Sequence, residues 1–302
     1  MNNILLTGAS GFLGQYVKFA FEKKGDVVYT LGRNQIDNFK LDLADGIINF
    51  ENENFEVIVH CAGKAHSVPK TQPEKLEFYN INVNGTKKLL KSLGTLKIVP
   101  KSFVFISSVS VYGLISGNLI KENAPLNAID PYGDSKIHAE NIVQEWCEQH
   151  KVICTILRLP LVIGINSSGN LKTMINGLKN GYYFNIGGGI ARKSMVLAED
   201  VANFIPIVAK IGGIYNLTDG QHPNFFNLSQ HIADNLGKRY PYNIPKYIAF
   251  ILSKIGDLIG NVSPINSDKF LKITSDLTFD DSKARMLANW NPTPVLDGFK
   301  VL

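Results

Sequence analysis

The sequence predicts an α/β protein: a doubly wound parallel sheet with a smaller, mainly helical C-terminal lobe. Three observations predict it. Short, near-continuous apolar runs alternate with helical patterns through the first half, as strands covered on both faces require. A glycine-rich turn joins the first of these runs to the first helix. From about residue 165 the pattern changes to loop chemistry and helices.

Taken in order, NILLT (3–7) is the first strand, and the helix after it carries Val17, Phe19, Ala20 and Phe21. DVVYTLG (26–32) is the second strand. EVIVHCAG (56–63) and SFVFISS (102–108) are buried strands separated by a helix near 74–93. Pro131 opens a further helix at its first turn, and HKVICTILRLP (150–160) follows it as a strand. GINSSGN (164–170) and NIGGGIARKS (185–194) are loops, and GGIYNLTDG (212–220) returns one strand to the sheet. The main domain is therefore expected over 1–165 together with about 194–217, with an interleaved lobe over 166–302.

At 302 residues the chain can bury a sizeable core. Its formal charge of +5 is mild. Lys87, Lys88, Lys91, Lys97 and Lys101 read as a solvated helix face, because no basic run with interleaved aromatics suggests nucleic acid. Cys61, Cys147 and Cys154 form no C-x-x-C pair, so a reduced compartment without a metal site fits. The start, MNNILLTGASG, lacks the basic region of a signal peptide. YIAFILSKIGDLIG (247–260) is interrupted by Lys254 and Asp257 and falls short of the ~20 residues a membrane span needs. It reads as a core-facing or lobe-surface amphipathic helix. A cytoplasmic protein without membrane insertion is expected.

TGASGFLG (7–14) spaces Gly8, Gly11 and Gly14 as G-x-x-G-x-x-G, with Phe12 and Leu13 between the last two. Gly8 permits the tight turn, Gly11 lets a diphosphate reach the backbone, and Gly14 lets helix and strand pack closely. The helix N-terminus then offers free N–H groups and a partial positive charge. At the end of the second strand, where an acidic residue would select NAD, the chain has Gly32 and Arg33. A guanidinium suits a 2′-phosphate, so Arg33 favours NADP over NAD.

DPYGDSKIHAE (130–140) sets Tyr132 and Lys136 one helical turn apart. Either they merely share a helix face, or the ammonium lowers the phenol's pKa so that it trades protons near neutrality. His60 ends a buried strand and packs without titrating, and neither His60 nor His66 belongs to a metal or triad set.

Together these segments resemble the extended short-chain dehydrogenase/reductase family, in its NAD-dependent epimerase/dehydratase branch. The resemblance rests on TGASGFLG, Asp42-Leu43, HCAG (60–63, with Cys61, Ala62 and Gly63), NVNGT (82–86), SSVSVYG (107–113), YGDSK (132–136) and LRLPLVIG (157–164), which fall in the family's order. It implies a Rossmann-type fold whose C-terminal lobe binds substrate. It also implies that Asp42 and Leu43 bind adenine and that Cys61, Ala62 and Gly63 run along the cofactor. Tyr132 would be the acid/base, with Lys136 lowering its pKa and holding the nicotinamide ribose, and Ser108 bonding the reacting oxygen. The family's 4,6-dehydratases carry Asp-Glu directly after the catalytic Ser/Thr. Val109 and Ser110 stand there in this chain, so dehydration is not expected.

LRLPLVIG, ARKSMVLAEDVA (191–202) and LTFDDSKARMLANWNP (277–292) are similar to UDP-hexosamine C4 epimerases and 4-keto reductases of surface-polysaccharide pathways. This likeness implies a nucleotide-sugar substrate. Arg192 and Lys193 would neutralise its diphosphate, unless they are surface loop cations. Asn166 would contact sugar or phosphate, or cap its loop. Epimerase and reductase both stay open, beside a non-catalytic dinucleotide sensor on the same fold. Homodimers, common in the resembled family, would pair the helices at 74–93 and 131–149.

Overall fold

The structure, a computed structural model, describes residues 1–65, 69–167, 169–259, 263 and 265–301. Its strands are β1 (Asn3–Thr7), β2 (Val27–Gly32), β3 (Phe39–Lys40), β4 (Val57–His60), β5 (Ser102–Ser108), β6 (Gly117–Ile120), β7 (Ile153–Leu159), β8 (Leu161–Ile163), β9 (Phe184–Ile186), β10 (Met195–Leu197), β11 (Gly213–Asn216), β12 (Tyr242–Ile244) and β13 (Leu277–Phe279). The helices of the first half are α1 (Phe12–Lys23), α2 (Gln72–Tyr79), α3 (Gly85–Leu93) and α4 (Pro131–His150). Those that follow are α5 (Gly169–Lys179), α6 (Ala198–Val208), α7 (Phe225–Leu236), α8 (Lys246–Ile259), α9 (Ser267–Thr274), α10 (Ser282–Ala288) and α11 (Val295–Gly298).

Seven strands form one parallel sheet in the order β11-β7-β5-β4-β1-β2-β3. The chain starts at β1, winds outward to β3, and then returns to build the other half from β4. The crevice where the winding reverses, at the strands' C-terminal ends, is where such sheets bind ligands. Register brings Thr7 beside His60, and Ser108 beside Leu159, along that edge.

Each face of the sheet is covered. On one side α1 and α6 bury Val17, Phe21, Val201 and Ile205 against β1 and β7. On the other, α3 and α4 bury Leu89, Leu93, Ala139 and Val143 against Phe103 and Phe105. The lobe has its own core, with Leu171 and Met174 of α5 packed on Leu228 and Ile232 of α7.

Two placements depart from the sequence reading, at the C-terminal end and near 74–93, and two others refine it. Ala284, Ala288 and Trp290 belong to the main core and not to the lobe, because the indole donates to the Thr218 carbonyl and edges onto Phe204. Phe19 is 66% exposed, since it falls off the buried stripe of α1. The single helix expected near 74–93 is two, joined by a π-helical turn over Asn80–Asn84. The segment 247–260 is the lobe-surface helix α8, with its bulky residues outward; Gly260 lies outside the described residues.

Candidate active site

The glycine loop closes on itself before α1 begins. Gly8 takes a left-handed φ of 72°, and a Cβ there would lie 2.7 Å from the Ala62 nitrogen. A Cβ on Gly14 would come within 2.1 Å of the Gly8 carbonyl oxygen. A side chain at Gly8 would collide with the Cys61–Ala62 backbone after β4, and one at Gly14 would push α1 off the turn that follows β1. Gly11 caps α1 without any side-chain bond to the first-turn N–H groups, and that turn holds no acidic residue. This backbone cradle with free donors fits a dinucleotide's diphosphate.

A one-way chain of hydrogen bonds lies beneath the loop. The Ala62 N–H donates to Thr7 Oγ1 (3.1 Å), which sits 2.6 Å from His60 Nδ1. His60 Nε2 sits 3.0 Å from Thr86 Oγ1, and that hydroxyl donates to the Asn82 carbonyl (2.6 Å). With Thr86 already donating onward, the network assigns the imidazole proton to Nε2. Burial pushes the His60 pKa down to about 3, helped by the Lys136 charge. His60 is therefore a neutral clamp between β1, β4 and α3. His66 lies outside the described residues.

Ser108 ends β5, and its Oγ accepts from the Ser110 N–H at 3.2 Å. α4 starts directly above it, with Asp130 as its N-cap and Pro131 in the first turn. Gly133 lets the two segments touch: a Cβ there would lie 2.7 Å from the Ser110 carbonyl oxygen. In consequence the Tyr132 phenol lies beside the Ser108 hydroxyl, close enough for it to act on the phenol's pKa, while the Ser108 hydroxyl itself donates to Ser110 Oγ at 3.2 Å. One turn on, the buried Lys136 ammonium donates to the Ile106 carbonyl (2.8 Å) and rests 4.6 Å over the Phe105 ring. Gly63 runs beside it; a Cβ there would be 3.4 Å from Lys136 Nζ. Ser108, Tyr132, Lys136 and the Cys61–Gly63 segment thus meet at the crevice.

The electrostatics depart from expectation. Burial raises the Tyr132 pKa, with the Ser108 hydrogen bond opposing and the Asp130 charge adding to the rise. The Lys136 ammonium is held in place by the Ile106 carbonyl and the Phe105 ring. Burial also brings Lys136 down to about 8 and lifts Cys61 to about 12.

At the far end of the crevice, Arg33 does not stand alone. Its guanidinium lies 3.7 Å from the Asp42 carboxylate, and Asp42 Oδ1 accepts the Ala44 N–H. Leu43 packs beside Gly85. Next to Arg33 a carboxylate absent from the sequence reading appears. The Asp37 side chain folds back so that Oδ2 accepts the Asn34 N–H (2.9 Å) and lies 2.5 Å from where a Gly32 Cβ would stand. The end of β2 thus carries an acid after all, supplied from five residues downstream.

The residues expected at the substrate divide. Asn166 is exposed, with a left-handed φ of 64°, in the loop after β8. That loop docks on α1, where the Tyr16 hydroxyl accepts the Ile165 N–H at 2.8 Å. Arg192 and Lys193 are each engaged by backbone carbonyls of the lobe. Arg192 donates to the Gln221 and His222 carbonyls, and Lys193 to the Ser275 carbonyl (2.8 Å). Both lie where the chain forms bridges to Asn224 and Leu277, so they fasten lobe segments together.

Two further features escaped the sequence reading. Asn82, in the π turn, bonds Lys64 N and O and the Ser135 hydroxyl, tying the Gly63 segment to α4. NVNGT carried that signal. Behind the site, Arg158 forms a buried two-pronged pair with Glu140 (2.7 and 3.1 Å) and donates to the Tyr112 hydroxyl. Ser107 donates to the same carboxylate, and Tyr112 to Asn216. This network joins β5, β7, β11 and α4. A polar residue within each apolar strand is a weak sequence signal, because only register shows that they meet.

Among curated proteins the chain is 28% identical to N-acetyl-alpha-D-glucosaminyl-diphospho-ditrans,octacis-undecaprenol 4-epimerase of Escherichia coli O157:H7, over 93% of this chain and 88% of that one. It is 26% identical to dTDP-D-glucose 4,6-dehydratase of Dictyostelium discoideum, over 72% and 58%. Its fold matches the UDP-glucose 4-epimerase of Thermotoga maritima, solved with UDP-glucose, at a TM-score of 0.76 and 20% identity, over 98% and 96%. Residues 4–218 match one family throughout, from the glycine loop to the strand that closes the sheet. The chain belongs to the NAD dependent epimerase/dehydratase family.

Proposed function

We propose that the protein is a 4-epimerase that inverts C4 of an N-acetylhexosamine carried on a diphosphate. The observation that carries this reading is the meeting of Tyr132, Ser108 and Lys136 beside Gly63. A nicotinamide dinucleotide, when bound, would supply the acceptor and then the donor for a hydride at C4. Gly8, Gly11 and Gly14 would receive its diphosphate, and Lys136 its ribose. Ser108 holds the 4-oxygen while Tyr132 takes its proton as the ketone forms and gives it back as the ketone is reduced. Inversion requires the 4-keto sugar to turn its other face before the hydride returns. Val109 and Ser110 leave the positions after Ser108 without a carboxylate for water elimination, which disfavours dehydration.

The cofactor is NAD in this reading, not NADP. The Arg33 charge faces Asp42, and the Asp37 carboxylate lies where it would accept a ribose 2′-hydroxyl and repel a 2′-phosphate. A cofactor kept through the cycle suits an epimerase, whereas a reductase must exchange it. The carrier is UDP or, as for the Escherichia coli relative, a polyprenyl diphosphate. The test is an NMR time course of the purified protein with UDP-N-acetylglucosamine, and with the polyprenyl diphosphate sugar, without added cofactor. The C4 epimer of either supports the reading; two unchanged spectra from protein that holds NAD contradict it.

A further inference from the structure

α8 is built inside out for a soluble lobe. Its buried face is small: Ala249, Ser253 and Gly256, where a Cβ on Gly256 would stand 1.8 Å from the Ile265 carbonyl oxygen. Its outward face is large and apolar. Tyr247, Ile251, Ile255 and Leu258 recur at i, i+4, i+8 and i+11, which aligns them along one stripe. They are 68%, 56%, 47% and 89% exposed. Soluble proteins rarely leave such a contiguous apolar face to water.

The surroundings of the stripe say what covers it. Lys238, Arg239, Lys246, Lys254, Lys269 and Lys272 flank it in the sequence against only Asp257 and Asp268, which is most of the chain's formal +5. Asp257 is itself engaged, accepting from the Ser267 N–H and hydroxyl and lying 3.9 Å from the Lys254 ammonium. A second copy laid on the stripe would bring two basic rims together. An anionic surface would neutralise one. Tyr242 of β12 and Tyr247 in the first turn of α8, both exposed, have the apolar ring and polar tip that suit a headgroup layer. At 14 residues the helix is roughly 21 Å long, short of the ~30 Å hydrocarbon core. It can lie on a bilayer but not cross one.

We infer that α8 docks this protein on an anionic lipid bilayer, its apolar stripe in the headgroup boundary and its lysines among the phosphates. As a route to the sugar, this rests on the proposed function with a polyprenyl diphosphate as carrier. The docking itself is tested apart from catalysis.

The experiment is co-sedimentation of the full chain with vesicles of phosphatidylglycerol and phosphatidylcholine, beside vesicles of phosphatidylcholine alone. The wild type should pellet with the anionic vesicles and be released by high salt. Ile251→Glu/Leu258→Glu should lower that partition by at least about tenfold, while thermal melting and epimerisation of a soluble sugar stay unchanged. Lys246→Glu/Lys254→Glu, which leaves the stripe intact, should also weaken it. The inference is overturned if the wild type ignores anionic vesicles, or if the stripe variant pellets as well as the wild type. It is also overturned if the wild type is a dimer in solution that the stripe variant splits, with neither form pelleting. Failure of both substrates with docking intact would count against the epimerase reading alone.

Discussion

Tyr132 illustrates how far one side chain depends on its neighbours. Burial raises its pKa, so at neutral pH the phenol is protonated beside the Ser108 hydroxyl. Removing the hydroxyl should therefore remove catalysis and little else. Tyr132→Phe is expected to lower kcat by about 10²–10⁴-fold, with NAD affinity by calorimetry unchanged; full activity would mean another acid/base. Asp37 is tested by binding alone. The wild type should hold NAD in preference to NADP, and Asp37→Asn should narrow that ratio by at least about tenfold, as loss of a carboxylate facing a phosphate requires. An unchanged ratio would return the choice to Arg33.

His60 gives a signed pH dependence. Its folded pKa is about 3, against an ordinary value near 6.5. Between those values the unfolded chain binds a proton that the folded chain refuses, so stability falls as pH is lowered. The slope from this residue approaches about 1.4 kcal/mol per pH unit. His60→Asn should flatten that part of the profile, measured by denaturant unfolding between pH 6.5 and 4. A slope equal to the wild type's would show that His60 titrates normally.

At the scale of elements, α4 is held against the sheet by a buried ion pair as well as by Ala139 and Val143. Glu140 is fully buried and Arg158 nearly so. Glu140→Ala leaves the guanidinium unpaired among β5, β7 and β11, and should cost about 3–5 kcal/mol. The double variant Glu140→Gln/Arg158→Met should cost less than the single one, by the same measurement. If Glu140→Ala were neutral, the network would not be what fixes α4. The π turn at Asn80–Asn84 works on the other side of that helix, turning Asn82 to bridge Lys64 and Ser135.

The whole molecule shows which scales were legible in the sequence. The succession of strands and helices follows from alternating apolar runs and from Gly8, Gly11 and Gly14, because those signals are local. The helix that carries Tyr132 and Lys136 was legible for the same reason, since Pro131, Tyr132 and Lys136 are one segment. Contacts across register were not. Asp37 reaches back over Gly32 through a loop, and Arg192 and Lys193 turn to carbonyls far along the chain. A charge in a loop suggests a ligand until the fold shows what already holds it. Trp290 likewise joins the main core from beyond the lobe.

The central claim is that a hydride leaves C4 of the sugar and returns to it. The most direct measurement is NMR of the epimerisation run in deuterium oxide with the protein as purified. The account predicts a C4 epimer that retains protium at C4, because the hydrogen never exchanges with water while the cofactor carries it. Deuterium at C4 would mean inversion by proton abstraction and would contradict the roles given to Tyr132, Ser108 and Lys136.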